Sequence, residues 1–337
     1  MRVTDRPGVA SLLQHTGVLH ALERLPRARG LVVLNYHRVG ELADNPFDDA
    51  TFSATAETFR TQMSYLKKRF ALPPASEILD ALGRGRFDDP TALVTFDDGY
   101  RDNHAIAFPV LRDLGLPACF FVVTRLLDAP VLPWWDRVAH LVKQTTVDVL
   151  TLEYPTRLVF DLRTVPRPRV TWRILRAYKE ARPLDESRFF AELAAQTGIS
   201  VDIDRLGRAL FMSWEGAREM ARDGMTIGSH TATHPVLASL PEAAQRNELI
   251  ESRERIGQMV GVAPELLAYP VGGPDAFTDL TKRLAREAGY RAAFCYYGGL
   301  NHPATTDLFA IARLAVEHDQ TPAQFRLRVS LAAVGGL

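Results

Sequence analysis

Two cysteines in 337 residues are too few for a disulfide framework. Both lie in apolar, strand-like runs, Cys119 in ACFFVV and Cys295 in AAFCYY, where a thiol behaves as a small buried hydrophobe. Net charge is also missing, since 40 Lys and Arg are matched by 40 Asp and Glu. No global field draws such a chain to DNA or RNA, and no nucleic acid partner is expected. Long hydrophobic runs are absent: nothing approaches the ~18 apolar residues of a spanning helix, so no transmembrane segment is expected. The first thirty residues contain no apolar core followed by a small-residue cleavage site, and a cytoplasmic location is the expectation. Residues 8–25 read instead as one amphipathic helix with Leu12, Leu13, Leu19 and Leu22 partly on one side. Such a helix packs on its own domain or, less commonly, lies on a membrane surface. Repeats and low-complexity segments are lacking. With 47% hydrophobic and 24% charged residues, the chain has the composition of an ordinary folded protein.

What is present is a rhythm of short apolar runs and amphipathic stretches. LVVLNY (31–36) suits a buried strand, with His37 and Arg38 at its end. Residues 55–69 read as a helix with Phe59, Met63 and Leu66 on one face, and ALVTF then forms a strand ending at Asp97-Asp98-Gly99. Residues 103–114 read as helix and ACFFVV as strand. This alternation argues for a parallel α/β sheet, open or closed into a barrel. From about 130 to 211 the rhythm breaks into PWWDRVAHLVKQ, two short strands (VDVLTLEY and TRLVFDL) and further helix, as expected of an insertion. It resumes at Ser213, an N-cap for a helix opened by Trp214 and Glu215. Strands follow at MTIGS, ELLAYP, GYRAAFCY and LFAIARLAV.

Two elements carry chemistry. Thr95-Phe96-Asp97-Asp98-Gly99 sets two carboxylates at a strand end, and Ser229-His230-Thr231-Ala232-Thr233-His234-Pro235 sets two histidines four residues apart after another strand. In parallel α/β folds these ends surround one mouth. Two imidazoles and a carboxylate suffice for a divalent ion that keeps positions open for water and substrate. A neighbouring carboxylate can take a proton from that water. Each element has a plainer reading: an Asp-Asp-Gly is by itself a common turn, and a lone histidine pair can be structural. His15, His20, His104 and His140 are taken as structural or exposed and His302 as solvated. Trp134-Trp135 reads as an anchor for the insertion or an aromatic stacking platform, and the cations from Arg163 to Arg176 as a solvated face.

Together and in this order, TFDDG and HxxxHP resemble the polysaccharide deacetylase family (the NodB-homology or carbohydrate esterase family 4 domain). Tyr36-His37-Arg38-Val39 is similar to the opening strand of many members, and Ala268-Tyr269-Pro270 falls where their third motif does. The resemblance implies an α/β fold, a distorted (β/α)7-type barrel over residues 31–329, preceded by an N-terminal helical segment (1–30) and carrying an inserted α+β cap region at about 130–211. It implies a divalent metal on Asp98, His230 and His234, with zinc expected and cobalt, nickel or iron also fitting, and Asp97 as base. The reaction implied is removal of N-acetyl groups from a sugar or glycan precursor. O-deacetylation, deformylation, or glycan binding without turnover are the alternatives.

The chain departs from the family at two places. The third motif's arginine position is Ala268, so the cation beside Asp97 is expected from Arg313 or Arg38. No clear LxH supplies the leaving-group acid, for which His318 is the expected residue and His37 the alternative. Tyr269 and Pro270, with His37 and Arg313, complete the expected substrate-side residues.

Overall fold

Buried apolar runs become the strands of one sheet. The structure, a computed structural model, describes residues 7–181 and 184–335, so the first six residues of the expected 1–30 segment lie outside it. Strand β1 (Leu31–Tyr36) is buried at every position. The short β2 (Arg38–Val39) and β3 (Phe52–Ala54) form a parallel pair. Next come β4 (Thr91–Phe96) and β5 (Cys119–Val122), both buried throughout. β6 (Val149–Leu152) and β7 (Leu158–Asp161) make an antiparallel hairpin. The chain continues through β8 (Thr226–Ser229), β9 (Leu266–Ala268), β10 (Ala292–Phe294), β11 (Leu300–Asn301) and β12 (Leu314–Ala315).

The main sheet has eight strands in the order β10-β9-β8-β5-β4-β1-β11, with β12 also on β1, and only β11 runs antiparallel. The segment around β12 reaches both ends of the parallel run. Ile311 exchanges hydrogen bonds with Ala293 and Cys295 beside β10, while the Val316 N–H donates to the Asn35 carbonyl of β1. The sheet therefore curls as a barrel of seven parallel strands. Burial on both faces explains why these strands read as unbroken Val/Leu/Phe runs, not alternating ones. Cys119 and Cys295 are free thiols in this core, and burial pushes Cys119 up to about 12, so it packs as a hydrophobe.

The insertion belongs to a second compact unit, 129–210 joined by 41–51, a segment that no sequence pattern marks. It holds the β6–β7 hairpin and helices Trp134–Gln144, Arg167–Glu180 and Glu186–Thr197, which bury Val138, Leu141, Ile174, Phe189, Phe190 and Leu193. Lys143 Nζ reaches Asp49 Oδ1 at 2.6 Å and the Asp48 N–H donates to Asp136 Oδ1, tying 41–51 to the rest. Trp135 is buried here and Trp134 stacks on Tyr178 at 4.4 Å.

One expectation changes at the N-terminus. Residues 8–25 are two helices, Pro7–His15 and Val18–Arg24, because Gly17 takes φ 77°, which ends the first helix. Ala10 and Leu19, with Leu13 and Leu22, pack on Ala323, Leu327 and Leu331 of the C-terminal helix Pro322–Ala333. Glu23 locks this contact, accepting from Arg326 at 2.7 and 2.8 Å and from Tyr65 Oη at 3.0 Å. Burial works to raise the Glu23 pKa, but Arg326, Tyr65 and Arg69 outweigh it and the carboxyl titrates below its ordinary 4.5. Its stabilising effect is therefore present above pH 4.5 and lost as pH falls through the lowered folded value. Thermal unfolding of Glu23→Gln should show a deficit at pH 7 that narrows steadily on acidification; a deficit independent of pH would contradict this. Among the described residues, no helix is long and apolar enough to cross a membrane.

Candidate metal centre

Three strand ends converge on one point. β4 delivers Asp97 and Asp98, β8 delivers His230, the turn after it delivers His234, and the C-terminal end of β9 faces them. His230 Nε2 and His234 Nε2 each lie 3.5 Å from Asp98 Oδ1. One ligand atom from each of Asp98, His230 and His234 falls within 4.8 Å of the others. Two donors on one tetrahedral ion with bonds of about 2.0–2.2 Å lie roughly 3.3–3.6 Å apart, so the residues fit a divalent ion. His230 Nδ1 sits 2.8 Å from the Ala268 carbonyl. A carbonyl only accepts, so Nδ1 carries the proton and the Nε2 lone pair faces Asp98. Burial holds the His230 pKa below its ordinary value, against the pull of Asp97, and the ring stays neutral as a ligand must.

The backbone here is strained. Among the described residues, four of the five non-glycine residues with positive φ gather at this end: Asp98 (73°), Thr231 (66°), His234 (63°) and Val271 (63°). For β-branched Thr231 and Val271 this is a genuine outlier, and such strain costs about 1–3 kcal/mol per residue. Local hydrogen bonds hold the histidine turn in place. Thr231 N–H donates to Ser229 Oγ, and Thr231 Oγ1 accepts from the His234 N–H. Glu248, on the helix Glu242–Val260, accepts from the Ala232 and Thr233 N–H groups at 2.9 Å and from Thr233 Oγ1 at 2.6 Å. Gly99, at φ 79°, leaves no spare room: a Cβ would meet Leu127 and Val122 at 3.1 Å.

Asp97, beside this cluster, sits in a fixed cradle. Arg313 clasps it through two contacts, Nη1–Oδ1 at 2.7 Å and Nη2–Oδ2 at 2.8 Å, and Asn35 Nδ2 donates to Oδ2 at 2.9 Å. Arg313 is itself fixed by the Cys295 carbonyl, 2.8 Å from its Nε. Burial alone would raise the Asp97 pKa, but the Arg313 guanidinium, with His230 and His37, holds it well below the usual carboxylate range. Arg38, the other candidate cation, pairs instead with Asp102 at 2.8 Å and lies over Phe52 and Tyr100.

The polysaccharide deacetylase family model matches residues 84–182 and 157–293, which together span more than half of the chain. The chain belongs to the polysaccharide deacetylase family. It is 28% identical over 106 residues to a poly-beta-1,6-N-acetyl-D-glucosamine N-deacetylase of Staphylococcus epidermidis, covering 28% of this chain and 36% of that protein. The matches span between 20% and 42% of the lengths of the curated relatives. Among solved structures, Streptococcus pyogenes deacetylase PplD superposes with a TM-score of 0.59 at 15% identity, over 90% of this chain and 99% of that one. IcaB from Ammonifex degensii gives 0.56 at 21% identity, over 92% and 99%. These likenesses establish the family's barrel fold.

Against the family pattern, Ala268 still contributes, through the carbonyl that orients His230. Tyr269, expected at the mouth, is buried instead: it stacks on Phe277 at 4.2 Å and donates its hydroxyl to the Phe309 carbonyl. Pro270 is buried as well, and its carbonyl accepts from the Gly272 N–H. Two neighbouring aromatics stand open, Tyr296 at 37% and Tyr297 at 39% exposed, and of these Tyr296 lies edge-on to His37 with ring centroids 5.7 Å apart. The His37 carbonyl accepts from Asn103 Nδ2 at 2.6 Å and its N–H donates to Ser53 Oγ. His318 donates its backbone N–H to the Phe52 carbonyl, beside that serine. Sequence reasoning missed Tyr296, Glu248 and Asn35. Of these only Asn35 left a signal, as the one amide inside the apolar run LVVLNY.

Proposed function

We propose that this chain is a metal-dependent deacetylase that hydrolyses the N-acetyl group of an amino sugar within a glycan or glycan precursor. One observation carries the reading: two imidazoles, that of His230 oriented by the Ala268 carbonyl, and a carboxylate share a buried point beside a second carboxylate held ionised by Arg313. Asp98, His230 and His234 would hold the metal, for which zinc suits the donor set. Once bound, a divalent metal supplies Lewis acidity toward the amide carbonyl and acidity to a water. Asp97 takes the proton of the attacking water. It can do so because Arg313 and Asn35 keep the carboxylate charged and fix its direction. Arg313, fully buried, acts through Asp97 as a positioning residue and leaves substrate contact to others.

The departing amine needs a proton. His37 is the residue we assign, since its charge is felt at Asp97 and its ring stands against Tyr296. Tyr296 offers its exposed ring face to the sugar. His318, whose Nε2 is buried with no hydrogen-bond partner, is the competing donor.

The test is acetate release from short N-acetylated amino-sugar oligomers by protein purified without chelator, with bound metal measured on the same sample. Acetate release that zinc restores after chelation is expected. Losing the basic limb of the pH–rate profile in His37→Ala, with His318→Ala retaining it, would fix the donor; the reverse pattern would assign it to His318. Metal-loaded protein that releases formate or O-linked acetate, but no N-linked acetate, would overturn the substrate assignment. Folded protein that binds no metal would overturn the reading altogether.

A further inference from the structure

The N-terminal ends of the strands carry a surface that the deacetylase reading does not use. Between Pro7 and Gly30 the only carboxylate is Glu23, and it is buried against Arg69, Arg326 and Tyr65. The exposed charge of this segment is therefore positive, from Arg24 and Arg29. On and beside the same two helices, Leu12, Val18 and Leu25 stand 61%, 51% and 51% exposed. They are three of the nine large apolar side chains left in solvent among the described residues. An adjoining groove of about 630 Å³ is walled by Arg60, Thr61, Ser64, Lys68, Arg69 and Arg326 and contains no carboxylate in its lining. Arg60 pairs with Asp113, and Arg69 and Arg326 are engaged by Glu23, whereas Lys68 forms no ion pair among the described residues. A separate groove carries Glu77, Asp80, Asp88 and Asp89 together with Arg84 and Arg86.

We propose that this face docks the protein on an anionic phospholipid surface. Leu12, Val18 and Leu25 would enter the headgroup boundary, and Arg24, Arg29 and Lys68 would meet lipid phosphates. Exposed apolar anchors alone would suit a protein partner, and cations alone a soluble polyanion. The two interleaved on short amphipathic helices fit a charged bilayer interface. The placement also leaves the metal centre accessible. Gly30 leads into β1, whose far end delivers His37, and a six-residue strand spans roughly 20 Å.

Flotation of the full chain with phosphatidylcholine vesicles, with and without phosphatidylglycerol, tests this. Binding is expected only with phosphatidylglycerol, and weakening as salt rises. Arg24→Glu/Arg29→Glu/Lys68→Glu should lower partitioning on the order of a hundredfold. Leu12→Ser/Val18→Ser/Leu25→Ser should lower it by about tenfold or more. Both variants should melt at the wild-type temperature. No flotation with phosphatidylglycerol, or equal flotation of both variants and wild type, would overturn the proposal. So would an apolar variant that floats normally while soluble polyphosphate competes, since that marks a polyanion site. Acetate release has no part in this readout, so docking and catalysis fail separately.

Discussion

Asparagine in place of Asp98 is expected to leave the fold intact while abolishing metal retention and turnover together. The substitution is chosen for the backbone. Asp98 sits at φ 73°, a left-handed conformation that asparagine adopts far more readily than alanine does, so loss of folding should not confuse the result. What changes is the donor. The Oδ1 atom that both Nε2 atoms approach at 3.5 Å belongs to a carboxylate, and an uncharged amide is a poor partner for a divalent ion. Turnover should fall on the order of a thousandfold, the scale seen when a principal electrostatic stabiliser is removed.

A second readout, free of catalysis, accompanies it. An ion that binds only the folded chain raises stability by RT ln(1 + [L]/Kd), about 2.7 kcal/mol at a hundred times Kd. Zinc should therefore raise the melting temperature of the chelated wild-type protein by several degrees and leave Asp98→Asn unmoved. A variant that keeps both the zinc-induced rise and activity would show that the ion, if any, is held elsewhere. His234→Ala should reproduce the loss, since its ring is the third donor.

The motifs were legible in the sequence because each is local. TFDDG closes a buried strand, HxxxHP follows another, and a parallel sheet brings such ends together whatever the intervening chain does. The chain breaks at Gly17 and the inserted helices are also written locally, although the reading of one continuous helix over 8–25 overlooked the glycine. The supports are different. Glu248 reaches the histidine turn from a helix 14 residues beyond His234, and nothing in its own neighbourhood distinguishes it from the other exposed acids there. Tyr269, expected on the substrate side, is buried while Tyr296 stands open, because which aromatic is buried depends on how the strained turn Val271-Gly272 packs. The Tyr296 N–H donates to the Gly272 carbonyl at 2.7 Å, and a Cβ on Gly272 would collide with Tyr296 at 2.7 Å. Two cations were equally eligible to partner Asp97. The choice rested on tertiary contact across 216 residues, which brings Arg313 in and leaves Arg38 with Asp102.

That contact sets the other large expectation. Arg313→Met should cost about 3–5 kcal/mol of stability, because it leaves the Asp97 carboxylate buried without its cation, and should also suppress turnover strongly. Removing both partners should behave differently from removing either. Asp97→Asn/Arg313→Met has no charge left to strand, so it should recover much of the stability lost in Arg313→Met. It should recover none of the activity, because the proposed base is gone. The coupling term of the denaturation cycle should be large for a pair 2.7 Å apart and fully buried, whereas a cycle pairing Asp97 with Arg38 should be close to additive. Arg313→Lys is the sharper probe. A lysine keeps the charge but cannot reproduce the two-pronged clasp on Oδ1 and Oδ2 while also donating to the Cys295 carbonyl. If charge alone matters, Arg313→Lys should turn over nearly as fast as wild type. If direction matters, as the clasp implies, it should retain stability better than the methionine variant while turnover stays depressed. A methionine variant that is both stable and active would show that Asp97 does not depend on this cation, and the role of base would then have to be sought in another group.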